Sequence, residues 1–235
     1  MSEEYSCLTC PNKNCFIQHC NAKDIAYFNH KKIVEVFRSG QMIILENTLV
    51  ENIYFVLSGK VKVYSTGVFG KQQIIRFAGA GNIIGHRGIN RKKWFIAAST
   101  LEDTKICSVS IQDFMWLFEN NAQLSRSLLL FFSDELYRSE MKVKKLATLS
   151  VRERVADALV QIKDVFSPFG NNLGVELSRQ DIADYAGTTK EQVSKYLSEL
   201  KNDKIIDLQD KNIIILNNER IRVIAHLSGQ ELIRQ

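Results

Sequence analysis

Between Ile111 and Ile162 the chain reads IQDFMWLFENNAQLSRSLLLFFSDELYRSEMKVKKLATLSVRERVADALVQI without one proline or glycine. The two strongest breakers of helical backbone are absent from the whole run. Within it, Leu129, Phe132, Leu136, Val143 and Leu146 recur at three- and four-residue steps, apart from a polar step at Ser139. That spacing draws one apolar line along a helix. The stretch from Asn121 to Leu146 is too long and too apolar for a helix bathed in water, and it stands between two regions of different pattern. The expectation is a central helix over residues 119–147 that meets a second copy along this line, giving a homodimer.

Upstream, residues 33–109 read as β-structure. IVEVFRSGQMII alternates and breaks at Ser39-Gly40, and NIYFVLSGKVKVY is two short strands hinged at Ser58-Gly59. KQQIIRF, WFIAAST and TKICSVS supply more, and GAGNIIGHRG places four glycines in ten residues, a tight and irregular turn. Short strands at this spacing imply a sandwich or barrel. Downstream, SPFGNN is a clear break. Ser178 is placed to cap a helix running to Tyr185, Gly187 to turn the chain, and Thr189 to cap a second helix with Gln192 as capping-box partner. Val193, Leu197 and Leu200 form the buried face of that helix, and residues 205–216 read as a hairpin. Helix, turn, helix, hairpin is the winged helix-turn-helix pattern. The fold class is α+β.

The net charge of +5 is uneven: residues 1–146 hold 19 basic and 13 acidic side chains, residues 147–235 hold 12 and 13. Binding to nucleic acid therefore has to be argued from local placement, not bulk charge. No apolar run approaches the ~20 residues of a membrane span, and Glu3 and Glu4 stand where a signal peptide carries positive charge. A cytoplasmic protein without membrane association is expected. In that compartment CLTCPNKNCFIQHC, with Cys7, Cys10, Cys15 and Cys20, reads as metal-binding or redox-active before it reads as disulfide-bonded. Zinc, an iron–sulfur cluster, a thiol–disulfide switch and no cofactor all remain open on the residues alone. Only one CxxC is present, which weakens zinc. His19 lies inside the group; His30 and His226 carry no signal. No enzyme is expected: there is no Walker loop, no HExxH and no ordered Ser/His/Asp set.

Over nearly its whole length the chain resembles the CRP/FNR superfamily of bacterial transcription regulators, in particular its FNR-like branch. The carriers are YFVLSGKVKVY, GAGNIIGHRG, the long helix after SIQDFMWLF, and LSRQDIADYAGTTKEQVSKYLSEL, in that order. The resemblance implies a flexible cysteine-rich arm (1–22), a β-roll sensor of the cyclic-nucleotide-binding jelly-roll type (23–118), the dimerisation helix (119–147) and a winged helix-turn-helix (148–235). It implies promoter double-stranded DNA as ligand and RNA polymerase as partner. Glu191, Ser194 and Lys195 fall on the family's base-reading E-x-x-S-R positions, with Lys in place of Arg. Lys190 shares their face, and Arg179, Gln180 and Thr189 suit phosphate contacts. A TTGAT half-site is the corresponding expectation. Lys lacks Arg's planar fork, so specificity at one base is expected to soften.

The resemblance also implies a [4Fe–4S] ligand set: Cys7, Cys10 and Cys15 from the arm and Cys107 from the strand before the long helix, with Cys20 as the alternative ligand. The family spacing is C-x2-C-x5-C; here the second gap is one residue shorter. In the effector pocket, Gly85, His86 and Arg87 occupy the glycine-rich segment. His86 stands where cyclic-nucleotide binders carry Glu, and Trp94-Phe95 where they carry Arg-Ser. An aromatic pair cannot neutralise a cyclic phosphate, which argues against cyclic-nucleotide sensing. Arg87 or Arg91 remains available to another anion. Haem-based members use a His in this segment, but a lone His beside an Arg is more often an exposed or hydrogen-bonded surface residue.

Overall fold

A computed structural model of the chain describes residues 5–210 and 212–227. It divides into two compact units, Met1–Ser65 with Ala78–Ser139, and Thr66–Phe77 with Glu140–Gln235. No helix among the described residues is long and apolar enough to cross a membrane.

In the first unit the cysteine segment is packed into the core instead of hanging as a flexible arm. Ile17 is 1% exposed, and Cys7 and Cys20 are buried with it. Polar ties hold the loop. The Cys7 N–H donates to Asn29 Oδ1 at 2.9 Å, Gln18 Nε2 to the Cys7 carbonyl at 2.8 Å, and Asn12 Nδ2 to the Leu57 carbonyl at 2.6 Å. A 3₁₀ turn, Phe16–His19, leads to α1 (Ala22–Lys31), which is capped by the Asn21 side chain. The strand pattern did not announce this helix.

The strands follow as expected: β1 (Ile33–Phe37), β2 (Met42–Ile44), β3 (Asn52–Ser58), β4 (Val61–Thr66), β5 (Gln72–Ala78), β6 (Ile83–Ile84), β7 (Ala97–Thr100) and β8 (Thr104–Ser110). One sheet has the order β1-β8-β3-β6; a second sets β2, β7 and β4 side by side. Strand β8 is central in the first sheet, so Cys107 sits opposite Val34 on one side and Phe55 on the other. Phe28 and Phe114 pack on Phe55 at 5.5 and 6.2 Å between ring centres. The same apolar cluster takes in Cys7, Cys20 and Cys107, with Cys15 against it.

The proline- and glycine-free run is three helices: α2 (Ile111–Asn120), α3 (Ala122–Thr148) and α4 (Val151–Phe166). The first break is made by Asn121. Its Oδ1 accepts the Leu124 N–H, capping α3, while its Nδ2 donates to buried Asp24 of α1 at 2.6 Å. Satisfying that buried carboxylate outweighs one more helical residue. The second break is a capping box, Ser150 with Glu153. Along α3, Leu129, Leu136 and Val143 are 69%, 62% and 67% exposed and find no cover among the described residues, whereas Phe132 of the same line packs against the first unit's apolar cluster.

In the second unit α4 packs with α5 (Arg179–Ala186), α6 (Lys190–Asn202) and α7 (Asn218–Ile224), and β9 (Ile206–Gln209) pairs with β10 (Asn212–Ile215) as an antiparallel hairpin. Val155, Leu159, Ile182, Val193, Leu197, Leu200 and Ile221 are almost wholly buried. Lys142 of α3 donates to the Ile74 and Ile75 carbonyls of β5 at 2.7 and 3.1 Å, and lies 3.8 Å from the Tyr185 ring centre. Desolvation pushes its pKa down to about 7, against an opposing pull from Asp157. Above that value the folded chain holds fewer protons than the unfolded one, so stability rises with pH. We expect the urea midpoint to climb from about pH 7 to roughly 8.5, below the usual Lys range, and Lys142→Met to flatten the climb. Parallel pH slopes for the two proteins would show the assignment to be wrong.

Candidate functional site

The second unit builds a helix-turn-helix from local signals. Ser178 caps α5, and a full capping box forms with Asp181. Gly187 closes α5 in the left-handed region at φ 65°, and an added Cβ would lie 2.6 Å from Leu146. The left-handed conformation is what demands glycine, since the Leu146 methyl is the end of a flexible side chain and can shift. Thr189 then caps α6 by accepting the Gln192 N–H, a single cap without the reciprocal half of the predicted box.

Burial of Val193, Leu197 and Leu200 turns the opposite face of α6 outward. Thr189, Lys190, Glu191, Ser194 and Lys195 are arrayed along the helix start and that outer face. All five are exposed, as are the neighbouring Gln192 and Ser198. Their contacts stay inside the helix: Ser194 Oγ donates to the Lys190 carbonyl at 3.0 Å, and Lys195 reaches Glu199 at 4.0 Å. Glu191 is held below the usual carboxylate range by its own backbone N–H, then by the Thr189 hydroxyl. The face thus offers one ionised acceptor between two ammonium donors, and that suits cytosine N4 and guanine O6/N7. Gln180 is exposed and donates to Asp184 at 2.6 Å; Arg179 is half-buried, and desolvation lowers its pKa.

In the first unit five cysteines are free. Burial pushes Cys15 up to about 12, with smaller upward pushes from Cys7, Cys10 and Cys107. Cys107 rises to about 11, again chiefly by burial, and Cys7 and Cys10 add to it. These four thiols therefore share one neighbourhood. Cys20, also raised to about 11 by burial, feels Asp24 instead. A cation serves the group of four: Lys32 Nζ lies 3.1 Å from Cys7 Sγ and pulls against the rise at both Cys7 and Cys107. Among the described residues, no three His, Cys, Asp or Glu side chains are drawn tightly enough together to hold a metal ion. The thiols are neighbours, not a preformed cage.

The glycine-rich segment is closed over by an indole. Trp94 is 3% exposed, and its ring lies 2.7 Å from where a Cβ on Gly85 would stand; Gly88 is covered in the same way. His86 is buried, 3.7 Å from Glu135 Oε2, and Arg87 Nη2 donates to the same oxygen at 2.9 Å. Neither Glu135 nor Lys32 was singled out from the sequence. Glu135 carries no local signal, because its partner Arg87 is 48 residues away. Lys32 carries no local signal, because its partner Cys7 is 25 residues away.

The cyclic nucleotide-binding domain family matches residues 34–121, and the Crp-like helix-turn-helix domain family matches residues 153–233. The probable transcriptional regulator flp of Lacticaseibacillus casei is 29% identical over 197 residues, 83% of this chain and 87% of its own. The fumarate and nitrate reduction regulatory protein of Vibrio cholerae is 25% identical, over 82% of this chain and 78% of its own. Among solved structures, FixK2 from Bradyrhizobium japonicum gives a TM-score of 0.74 at 26% identity, covering 82% of this chain and 96% of FixK2.

Proposed function

The chain belongs to the CRP/FNR superfamily of DNA-binding transcription regulators, and we propose that within it the protein reports oxygen or redox state through a cysteine-held [4Fe–4S] cluster. Its relatives are regulators, not enzymes. The observation that carries the proposal is that Cys7, Cys15 and Cys107 gather at one apolar cluster and, with Cys10, act on one another's charge, whereas Cys20, in the same cluster, faces the Asp24 carboxylate. Those four thiolates match the donor set of the cluster, and Lys32 offsets part of its negative charge. When bound, the group would supply an oxygen-labile ligation between the cysteine segment and β8.

The chain's own residues carry the signal onward. Phe16 packs edge-on against Phe131 of α3 at 4.9 Å, and His19 Nδ1 hydrogen-bonds Ser127 of α3 at 3.0 Å. The position of the cysteine segment therefore bears on α3. On the same helix Leu129, Phe132, Leu136 and Val143 form the seam of a homodimer, so a local ligation change can bias the DNA-competent pairing. RNA polymerase is the expected protein partner.

The test is purification without oxygen, a visible spectrum, and iron and sulfide analysis. A brown protein with both elements is expected; a colourless protein, or one holding zinc, sinks the cluster reading. For the DNA end, Glu191→Ala is expected to weaken binding to a duplex with two TTGAT half-sites by roughly 10- to 100-fold per half-site, the worth of one base contact. Affinity for random duplex, set by phosphate contacts, stays unchanged. Equal losses on both duplexes would remove Glu191 from base reading.

A further inference from the structure

Arg154, in the first turn of α4, directs its whole guanidinium at backbone carbonyls from two other places in the second unit. Nη1 donates to the Leu149 and Leu146 carbonyls at 2.9 and 3.4 Å, where α3 ends. Nε donates to the Ala186 carbonyl at 2.9 Å and Nη2 to the Gly187 carbonyl at 3.3 Å, in the turn between α5 and α6. Carbonyls at helix C-termini lack partners inside the helix and carry partial negative charge. One half-buried guanidinium answers both needs at both ends. The bridge crosses the break at Leu149-Ser150 between α3 and α4, and it reaches the turn just ahead of Lys190, where α6 begins.

Leu146 of α3 also meets Gly187, through a methyl, and Lys142 meets the Tyr185 ring through its ammonium. Both contacts tolerate sliding, since neither fixes a direction. Four hydrogen bonds from one planar, rigid group do fix it. We propose that Arg154 is the positioning residue that sets the angle between the recognition helix α6 and the end of α3, and thereby the spacing of half-sites that the protein accepts. In a dimer joined along α3, the two copies of α6 enter the major groove about one helical turn apart. Each added or missing base pair rotates one half-site by roughly a tenth of a turn. A wrong spacing therefore makes the helix-turn-helix swing about the Leu149-Ser150 break, and the swing pulls Arg154 off carbonyls on one side or the other. The apolar core that packs α5 and α6 on α4 stands without this fork, so a single α6 reads one half-site without it. The inference rests on the dimer reading of α3 and not on the cysteines.

The probe is a two-half-site duplex enriched by the full-length wild-type protein from a random pool. It is compared with versions carrying one or two base pairs more or less between the half-sites, and with one half-site alone, all at one salt concentration. Wild type is expected to lose at least about tenfold in affinity two base pairs from its preferred spacing, because the second half-site is no longer engaged. Arg154→Met keeps the apolar stem and removes every donor. It binds the single half-site as wild type does, while its preference across the spacings shrinks to below about threefold. Arg154→Lys keeps the charge but cannot hold carbonyls on both sides, so it behaves like Arg154→Met, and it carries the comparison if that variant misfolds. A role in stability alone would lower the thermal midpoint and leave the spacing preference sharp. A sharp preference in folded Arg154→Met, or in Arg154→Lys, overturns the proposal and leaves the dimer reading standing. A monomeric wild type, or one indifferent to spacing, removes the dimer reading and this proposal with it.

Discussion

Replacing Cys107 with alanine is expected to give a folded protein that no longer holds iron or sulfide, whereas Cys20→Ala retains both. The two residues are alike by burial, at 8% exposure each, and sit in the same apolar cluster. Losing one buried sulfur from either position costs about 1 kcal/mol of stability, well inside what a domain tolerates. Their surroundings separate them. Cys107 is on the central strand of its sheet, shares its neighbourhood with Cys7 and Cys10, and feels the Lys32 ammonium as a stabilising charge. Cys20 has the Asp24 carboxylate beside it, which opposes a thiolate. A cluster needs four anionic donors, and the Cys107 side has the Lys32 ammonium to compensate them where the Cys20 side has a carboxylate. Anaerobic iron and sulfide counts on the two variants, with circular dichroism as the folding control, decide it. Iron retained by Cys107→Ala, or lost from Cys20→Ala, would falsify the ligand set.

The contrast between these cysteines marks where sequence reading stops. Spacing placed Cys20 as a spare, but spacing cannot see Asp24, which owes its effect to packing. The helix-turn-helix was legible almost residue by residue, because its signals are local: a cap at Ser178, a left-handed Gly187, a cap at Thr189 and a three–four spacing of buried residues. Local physics acts over a few residues, and so does sequence inspection. The break at Ser150 was equally local, a Ser-x-x-Glu box, and was readable but passed over inside the long helical run. The break at Asn121 was not readable, since it depends on Asp24, 97 residues away. The same holds for α1, whose Asn21 cap is weak evidence alone, and for Lys142, an ordinary helical lysine until β5 and Tyr185 enclose it. The arm looked flexible because small polar residues and cysteines fill it; its burial rests on three side-chain ties made across 11, 22 and 45 residues.

Leu136→Glu is expected to convert the protein to a monomer and to remove most of its affinity for a two-half-site duplex. Leu136 is 62% exposed within the chain, one heptad after Leu129 and one before Val143, so it stands at the middle of the uncovered line. Two-fold symmetry places the residue in the interface twice. Burying a leucine is worth about 1.5–3 kcal/mol, so losing two removes about 3–6 kcal/mol, and two facing carboxylates add repulsion. That total weakens dimerisation by roughly two to four orders of magnitude. DNA binding follows, because each chain then holds one half-site alone and the second contact no longer comes at high effective concentration. In a monomer the introduced carboxylate points to water, so the helical signal and thermal transition of the single chain stay close to wild type. Sedimentation and DNA titration at matched protein concentration give the result. A wild-type monomer, or a dimeric Leu136→Glu with unchanged DNA affinity, shows that the exposed line on α3 serves something other than self-association.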